Sequence, residues 1–253
     1  MAISSNSNFD ALGPIAARGG FLDDFEAVGL APNEVPSAIE RDRPHFVARP
    51  GFYRKLLPLR LEGGRVFSGG RYLFASYAQA VDFRRWIEQE FRLDNRLFSE
   101  RPWARDLTCD PFHVIGAHDF KDVHRSQTVV RAERWAFEGE RGGALDSAWH
   151  ALRERAEASG LASVWLFFSD ERREAAVITV ADRIGARDLE SPDEVSLRAL
   201  ATRPTFAEEF ARQPWARKTF DRTSWVFTLW FSPDHVPLHL WPNSPPLPGL
   251  MTS

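Results

Sequence analysis

Residues 163–181, SVWLFFSDERREAAVITVA, decide the fold because they contain two strand-like segments that are apolar on both faces. The pattern predicts strands over Val164–Phe168 and Ala175–Ala181, joined by the polar turn Ser169–Glu174. An antiparallel sheet with one face in water would alternate apolar and polar residues instead. We therefore expect this sheet to be covered twice, by helices on one face and by a further layer on the other.

The elements around this hairpin follow the order of a ferredoxin-like unit. The sequence predicts a strand over Gln127–Glu138 and a helix over Asp146–Ser159, which Asp146 can cap and Gly160 can end. After the hairpin come a mainly helical stretch, Pro192–Phe210, and a final strand, Ser224–Phe231. The resulting order is β-α-β-β-α-β, so residues 125–232 are predicted to form one ferredoxin-like half.

A repeated tetrapeptide indicates that a related half precedes this one. Pro102-Trp103-Ala104-Arg105 stands before a strand predicted over Phe112–Phe120, and Pro214-Trp215-Ala216-Arg217 stands before the last strand. Each copy follows a helical stretch rich in Phe, Arg and Glu. The matching place in the element order predicts two related halves, the first over residues 51–124.

The first half is predicted to be incomplete. A hairpin, Phe52–Leu61 with Arg65–Ser76, turns at Glu62-Gly63-Gly64, and a helix follows over Tyr77–Arg92. Residues 1–50 are predicted to be irregular apart from a short helix within Phe21–Gly29, so the opening strand and helix of this half are missing. Residues 233–253 are predicted to be a Pro-rich tail.

A tandem of ferredoxin-like units with doubly buried strands resembles the dimeric α+β barrel superfamily. Its members include antibiotic-biosynthesis-type monooxygenases, muconolactone isomerases, chlorite-dismutase-like haem proteins and aldoxime dehydratases. The resemblance rests on element order over about residues 52–232. It implies an α+β protein whose two antiparallel sheets face one another in a barrel, and it implies a homodimer. It assigns no catalytic residue, because fold analogy alone does not carry function.

Composition narrows the functional classes. The net charge of −3 gives no general attraction to nucleic acid or to an anionic membrane. One cysteine, Cys109, excludes an internal disulfide, and no apolar run approaches a membrane span, so the expected location is the cytoplasm. The chain has 20 Phe and 9 Trp but 3 Tyr, a composition that suits either a bulky core or a pocket for a flat ligand.

His118 and Asp119 are the first candidate catalytic residues. They lie in the densest polar stretch of the chain, and a carboxylate can orient an imidazole and raise its pKa for acid–base work. On an unbroken strand, His113 and His118 would face opposite sides, whereas His113 and Asp119 would share one. The alternative is a polar linker between the halves. The spacing does not favour a metal site.

Tyr53, Lys55 and Tyr72 are the second group of catalytic candidates. Tyr53 and Lys55 are predicted to share one face of their strand, and Tyr72 shares a face with Phe74 on the next strand. A phenol beside an ammonium can become acidic enough for proton transfer. The alternative is an aromatic pair that only packs across the two strands.

Arg131, Glu133 and Trp135 are candidate substrate-binding residues. They share one strand face, and charges aimed into a barrel would have to be paired or functional. They could bind a carboxylate or phenolate, or they could form a solvated ion pair at a strand end. Trp165 and Phe167, on the doubly buried hairpin, are expected to line the same pocket.

These features lead to several functional hypotheses. The first is a cofactor-independent enzyme that uses acid–base chemistry, as a lyase, isomerase or dehydratase, on a small aromatic or hydrophobic metabolite. No dinucleotide, Walker or nucleophile-elbow motif is present. The alternatives are a cofactorless monooxygenase of the same fold and a non-enzymatic protein that binds a hydrophobic ligand. A further alternative is a haem enzyme with His150 as the axial ligand.

Overall fold

The computed structural model describes residues 12–121, 128–138, 144–181 and 216–232. Its strands are β1 (Gly13–Pro14), β2 (Gly19–Ala27), β3 (Phe52–Glu62), β4 (Arg65–Phe74), β5 (Arg92–Leu93), β6 (Arg96–Leu97), β7 (Ala104–Asp119), β8 (Thr128–Phe137), β9 (Ser163–Ser169), β10 (Glu174–Ala181) and β11 (Ala216–Phe231). Its helices are α1 (Val35–Glu40), α2 (Arg43–Val47), α3 (Tyr77–Gln89) and α4 (Ala144–Ala158), with a 3₁₀ turn at Phe98–Glu100.

Eight long strands form a closed antiparallel barrel. They pair in the order β7-β2-β4-β3-β11-β8-β10-β9, and β9 pairs with β7 to close the ring. Each set of four has the ferredoxin-like order, with the last strand of the unit beside the first. The α+β barrel expected from the sequence is confirmed. One chain supplies all eight strands, and the homodimer stays a prediction.

The strands are buried on both faces, as the apolar hairpin predicted. A core cluster inside the barrel draws on all eight strands, and its described members, which include Trp165 and Phe167, come only from strands and adjoining segments. The neighbouring side chains Leu166 and Phe168 point outward and pack with Leu145 and Leu152 of α4. The helices therefore cover the outer face of these strands, and the packed barrel interior covers the inner face, as predicted.

The repeated tetrapeptide marks equivalent strands. β7 begins at Ala104 and β11 begins at Ala216, and each strand is 16 residues long. Ala104 pairs with Ala27 of β2, and Ala216 pairs with Phe137 of β8. The two units therefore share one register, although Pro214 and Trp215 lie outside the described residues.

Residues 19–47 are ordered, so the expected irregular segment and the helix within Phe21–Gly29 are wrong. β2 occupies this stretch, with Phe21 and Phe25 under the helices and Leu22 inside the barrel. Aromatic residues four apart also suit a helix, but the neighbouring strands on both sides fix the extended form. With α1 and α2, β2 completes the β-α-β-β-α-β order of the first unit, while the division into domains stays a prediction.

Other predicted elements agree with the structure. The β3–β4 hairpin turns at Gly63 and Gly64, and α3 and α4 occupy the predicted helices. Gly160 follows α4 with φ +70°, the left-handed conformation that ends a helix. α4 begins at Ala144, so Asp146 lies in its first turn rather than at the cap. β7 and β11 begin earlier than predicted.

Two predicted segments, the helix at 192–210 and the tail at 233–253, lie outside the described residues. Within the described residues, no helix is both long enough and apolar enough to cross a membrane.

Removing a barrel-filling ring tests this architecture. Phe167 is fully buried beside Phe112 and Trp165, so Phe167→Ala should lower the free energy of unfolding by about 3–5 kcal/mol. Urea denaturation would measure the loss. Val81, 40% exposed on α3, provides the control, because Val81→Ala should change stability by less than about 0.5 kcal/mol. Similar small effects for both variants would contradict a packed barrel.

Candidate functional site

A bulge in β3 separates Tyr53 from Lys55. The pairing with β4 shifts register between Phe52 and Arg54, which rotates the following residues by one position. Tyr53 packs against the barrel core, whereas Lys55 points outward among aromatic rings under the helices. The prediction that Tyr53 and Lys55 share a face is wrong for this reason.

His118 and Asp119 are neighbours on β7 and therefore lie on opposite faces, and a second bulge changes the faces predicted for His113. β7 shifts register against β9 between Val114 and Gly116. Asp119 points into the barrel, where both its oxygens accept bonds of 2.9 Å from Arg54. His118 lies on the outer side near α4, where burial and then Arg153 lower its pKa. His113 is also outside, stacked on Tyr77 with ring centroids 3.7 Å apart, so both face assignments made for His113 are wrong.

Arg131, Glu133 and Trp135 share a face, as predicted, but it is the outer face. Trp135 packs against α4 residues. Glu133 accepts a bond of 2.7 Å from Lys218 Nζ, and Arg131 binds Asp221 through two bonds of 2.6 and 2.8 Å. The charged side chain of β8 that points into the barrel is Arg134, which was not among the predicted site residues.

Inside the barrel, charged side chains neutralise one another. At one end, Arg134 binds Asp110 at 2.7 Å and approaches Asp24 at 3.6 Å, and Arg71 binds Asp24 at 2.6 Å. At the other end, the Arg54 guanidinium lies 5.2 Å from the Trp165 ring while it holds Asp119. Tyr53, Asp119, Trp165 and Phe167 are thus brought to one interior, but Trp165 and Phe167 fill the core rather than line an opening.

The remaining two predicted residues, Lys55 and Tyr72, meet with Asp23 in a cluster on the outer face of the first sheet. We call these three residues the acid–phenol–amine cluster. The Tyr72 hydroxyl donates a short hydrogen bond to Asp23 Oδ2. Lys55 is paired with Tyr72 across β3 and β4, and its Nζ lies 4.6 Å from the centre of the Tyr72 ring. Asp23 and Tyr72 have no solvent exposure, and Lys55 has 2%.

Lys55 sits in an aromatic cage. Its Nζ also lies 4.8 Å from the Phe46 ring and 4.6 Å from the Trp230 ring, an arrangement that stabilises an ammonium by cation–π attraction. No described residue accepts a hydrogen bond from Nζ. Burial lowers the pKa of Lys55 to about 8, against the opposing attraction of Asp23 and Asp42.

Burial also shifts the acid and the phenol. Desolvation raises the pKa of Asp23, although Lys55 and the Tyr72 hydrogen bond act in the other direction. Desolvation and Asp23 together raise the pKa of Tyr72 well above its usual value. The expectation of an acidic phenol is therefore wrong, and Tyr72 stays a proton donor. Asp23 Oδ1 is buried without a hydrogen-bond partner among the described residues, which leaves it able to accept one.

Backbone geometry fixes the cluster. Asp23 pairs with Gly70 of β4 on one side and with Cys109 of β7 on the other. A Cβ at position 70 would overlap the Tyr72 ring and Lys55 Cε, so only glycine leaves the two side chains room to meet. Asp23 was not among the predicted site residues, because a short helix was predicted within Phe21–Gly29. An acid beside buried apolar residues was the available signal.

The second unit has an acid at the equivalent position. We call Ala104 and Ala216, the alanines of the repeated tetrapeptide, the marker alanines; they pair with Ala27 and Phe137. The residues four positions before these partners are Asp23 and Glu133. Burial raises the pKa of Glu133 as well. Glu133 is hydrogen-bonded to Lys218 and lies 3.6 Å from Arg131. No ion pair of that kind reaches Asp23 among the described residues.

The structure places the candidate haem ligand on the surface. His150, the candidate axial ligand, is exposed on α4. No group of three or more His, Cys, Asp or Glu in the described part of the chain is placed to hold a metal ion.

Comparisons with known proteins identify the fold. No protein-family model and no curated protein matches the chain. Among solved structures, a proposed monooxygenase from Fusobacterium nucleatum matches with a TM-score of 0.56 and 12% identity over 85% of this chain and 94% of the other. A proposed monooxygenase from Lactobacillus acidophilus matches with a TM-score of 0.54 and 14% identity over 85% of this chain and 97% of the other. An anthrone oxidase-like protein matches with a TM-score of 0.52 and 12% identity over 88% of this chain and 96% of the other. Each supports the α+β barrel.

The lowered pKa of Lys55 predicts a pH-dependent stability. An unfolded lysine has a pKa of about 10.4, so between about pH 8 and 10.4 the unfolded state binds more protons and stability rises with pH. Lys55→Met removes this dependence. Its stability relative to the parent should therefore fall by about 2 kcal/mol between pH 7 and pH 10 in urea unfolding.

The control for this experiment is Lys121→Met, at an exposed lysine. It should keep the pH dependence of the parent. A Lys55→Met variant whose pH dependence also equals that of the parent would show that Lys55 is not desolvated.

Proposed function

We propose that this protein is a cofactor-independent enzyme that transfers protons on a small aromatic or otherwise hydrophobic molecule, with the acid–phenol–amine cluster as its reactive groups. The observation that carries the proposal is the position of Lys55. A lysine with a pKa of about 8, buried among three aromatic rings, is an effective general base near neutral pH.

The three groups have distinct roles in this proposal. Neutral Lys55 Nζ accepts a proton from a carbon next to a carbonyl or aromatic ring. Tyr72 keeps its proton and can donate a hydrogen bond to the oxygen on which negative charge develops. In the form in which Asp23 carries the shared proton, Asp23 donates the short bond to the Tyr72 oxygen, and the Tyr72 proton is free to point to the substrate oxygen. The aromatic rings around Lys55 exclude water from the reactive groups.

The fate of the deprotonated substrate separates two reaction classes. In a lyase, isomerase or dehydratase, the proton returns at another atom or a leaving group departs. In a cofactorless monooxygenase, the carbanion adds O₂ to form a hydroperoxide, which loses water and leaves a carbonyl group. Three proteins of similar fold are named as two proposed monooxygenases and an anthrone oxidase-like protein. For this reason the cofactorless monooxygenase is our alternative proposal.

Exchange of substrate protons with deuterated solvent tests the proposal. Anthrone and 2-tetralone are suitable probes, because each has an acidic C–H beside an aromatic ring. Lys55→Met should lower the rate of enzyme-dependent exchange by about 100-fold or more, and Tyr72→Phe should also lower it. The parent rate should rise with pH through about 8 as Lys55 loses its proton.

Lys121→Met is the matched control and should keep the parent rate. Oxygen uptake with anthrone assigns the reaction to the monooxygenase class, and exchange without uptake assigns it to the first class. A parent protein that exchanges neither probe, or a Lys55→Met variant with the parent rate, would reject the proposal. Ligand binding without exchange would favour the non-enzymatic alternative.

A further inference from the structure

A surface cleft of about 290 Å³ lies beside the first unit, outside the barrel. It is formed by α1, the β5–β6 hairpin and the segment that leads into β7. Its lining residues are Ala38, Arg41, Leu93, Asp94, Arg96, Arg101, Pro102 and Trp103. The cleft therefore combines three guanidinium groups and one carboxylate with an apolar wall.

Two of the three arginines in the cleft are paired with acids, and the third is not. Arg41 and Asp94 form an ion pair of 2.8 Å, and Arg101 is held by the buried Asp42 through two bonds of 2.6 and 2.8 Å. The Arg96 side chain forms no ion pair or hydrogen bond with any described residue, although its charge helps to lower the pKa of Asp94. The cleft thus presents a guanidinium without a direct partner among the described residues, and a guanidinium binds a carboxylate through two parallel hydrogen bonds.

The hairpin holds Arg96 at the edge of the cleft. Asp94 and Asn95 both have positive φ, 53° and 62°, as a two-residue turn of type I′ requires. The ion pair with Arg41 ties this turn to the end of α1. Arg96 therefore projects from a short hairpin anchored at both its turn and its strands.

The apolar wall suits a flat ring. Leu93, Pro102 and Trp103 line it, and the Trp103 ring is itself supported by Phe25, with ring centroids 5.6 Å apart. The Arg101 guanidinium lies 5.4 Å from the Trp103 ring. A planar ligand can stack against such an aromatic and guanidinium surface while its charged end reaches Arg96.

We propose that this cleft binds aromatic carboxylates, with Arg96 holding the carboxylate and Trp103 packing against the ring. Arg101 forms a wall shared with the acid–phenol–amine cluster, because it lies over Phe98 and lies close enough to Lys55 to affect its pKa. Phe98 and Phe91 in turn contact Phe46, a ring of the Lys55 cage. The proposed binding at this cleft does not depend on the proposed function, because Asp23, Lys55 and Tyr72 do not line the cleft.

Calorimetric titration with 1-naphthoate tests the cleft directly. Arg96→Gln should raise the dissociation constant for 1-naphthoate at least 10-fold. 1-Naphthamide, which has the same ring without the charge, should bind weakly and equally to the parent and the variant. Arg85→Gln is the matched control, because Arg85 is exposed on α3 outside the cleft, and it should bind 1-naphthoate like the parent.

The outcomes separate this inference from the proposed function. The proposal that the cleft binds aromatic carboxylates would be wrong if the parent did not bind 1-naphthoate at millimolar concentration. It would also be wrong if Arg96→Gln bound 1-naphthoate as tightly as the parent. Lys55→Met should bind 1-naphthoate normally even where proton exchange is lost. Arg96-dependent binding without any exchange in the parent would keep the cleft and reject the proposed enzyme. Thermal unfolding of Arg96→Gln should match the parent, because the side chain is exposed.

Discussion

The rest of the structure depends on closure of the sheet. β3 pairs with β11 and β7 pairs with β9, and these two seams join the last strand of each unit to the second strand of the other. Closure removes the sheet edges, and it shields both faces of most strands from solvent. A titratable side chain on such a strand must find a partner or change its pKa. Arg54, Arg134 and Glu133 are paired, whereas Asp23 and Lys55 are held mainly by aromatic surroundings.

The sequence predicted the fold better than it predicted the site, for a physical reason. Doubly apolar strands such as Val164–Phe168 and the marker alanines Ala104 and Ala216 are local signals of a closed, repeated architecture. A site depends on which face each side chain takes, and one extra residue reverses that face. The bulges near Tyr53 and Gly116 did so for Lys55 and His118, while the regular strand β8 kept Arg131, Glu133 and Trp135 together as predicted.

Two other errors have different origins. The sequence shows that Arg131, Glu133 and Trp135 share a face, but it does not say whether that face is inside or outside the barrel. Asp23 was missed because Phe21 and Phe25 have helical spacing, and the pairing of β2 with two distant strands overrides that local preference. Tyr72 and Lys55 were both candidates, but Lys55 was placed beside Tyr53, and the direction of the Tyr72 pKa depended on an acid 49 positions away.

The equivalent register of the two units has a consequence for their history. Asp24 and Arg134 each lie three residues before the partner of a marker alanine, and they face one another inside the barrel at 3.6 Å. In an assembly of two identical chains, equivalent positions carry the same residue, so this contact would join two like charges across a symmetry axis. When both units belong to one polypeptide, equivalent positions can carry different residues. An acid and a base, Asp24 and Arg134, can then attract one another where two identical charges would repel. Within one polypeptide, one unit can therefore have a sparsely paired acid, Asp23, while the other has a paired acid, Glu133, at the equivalent position.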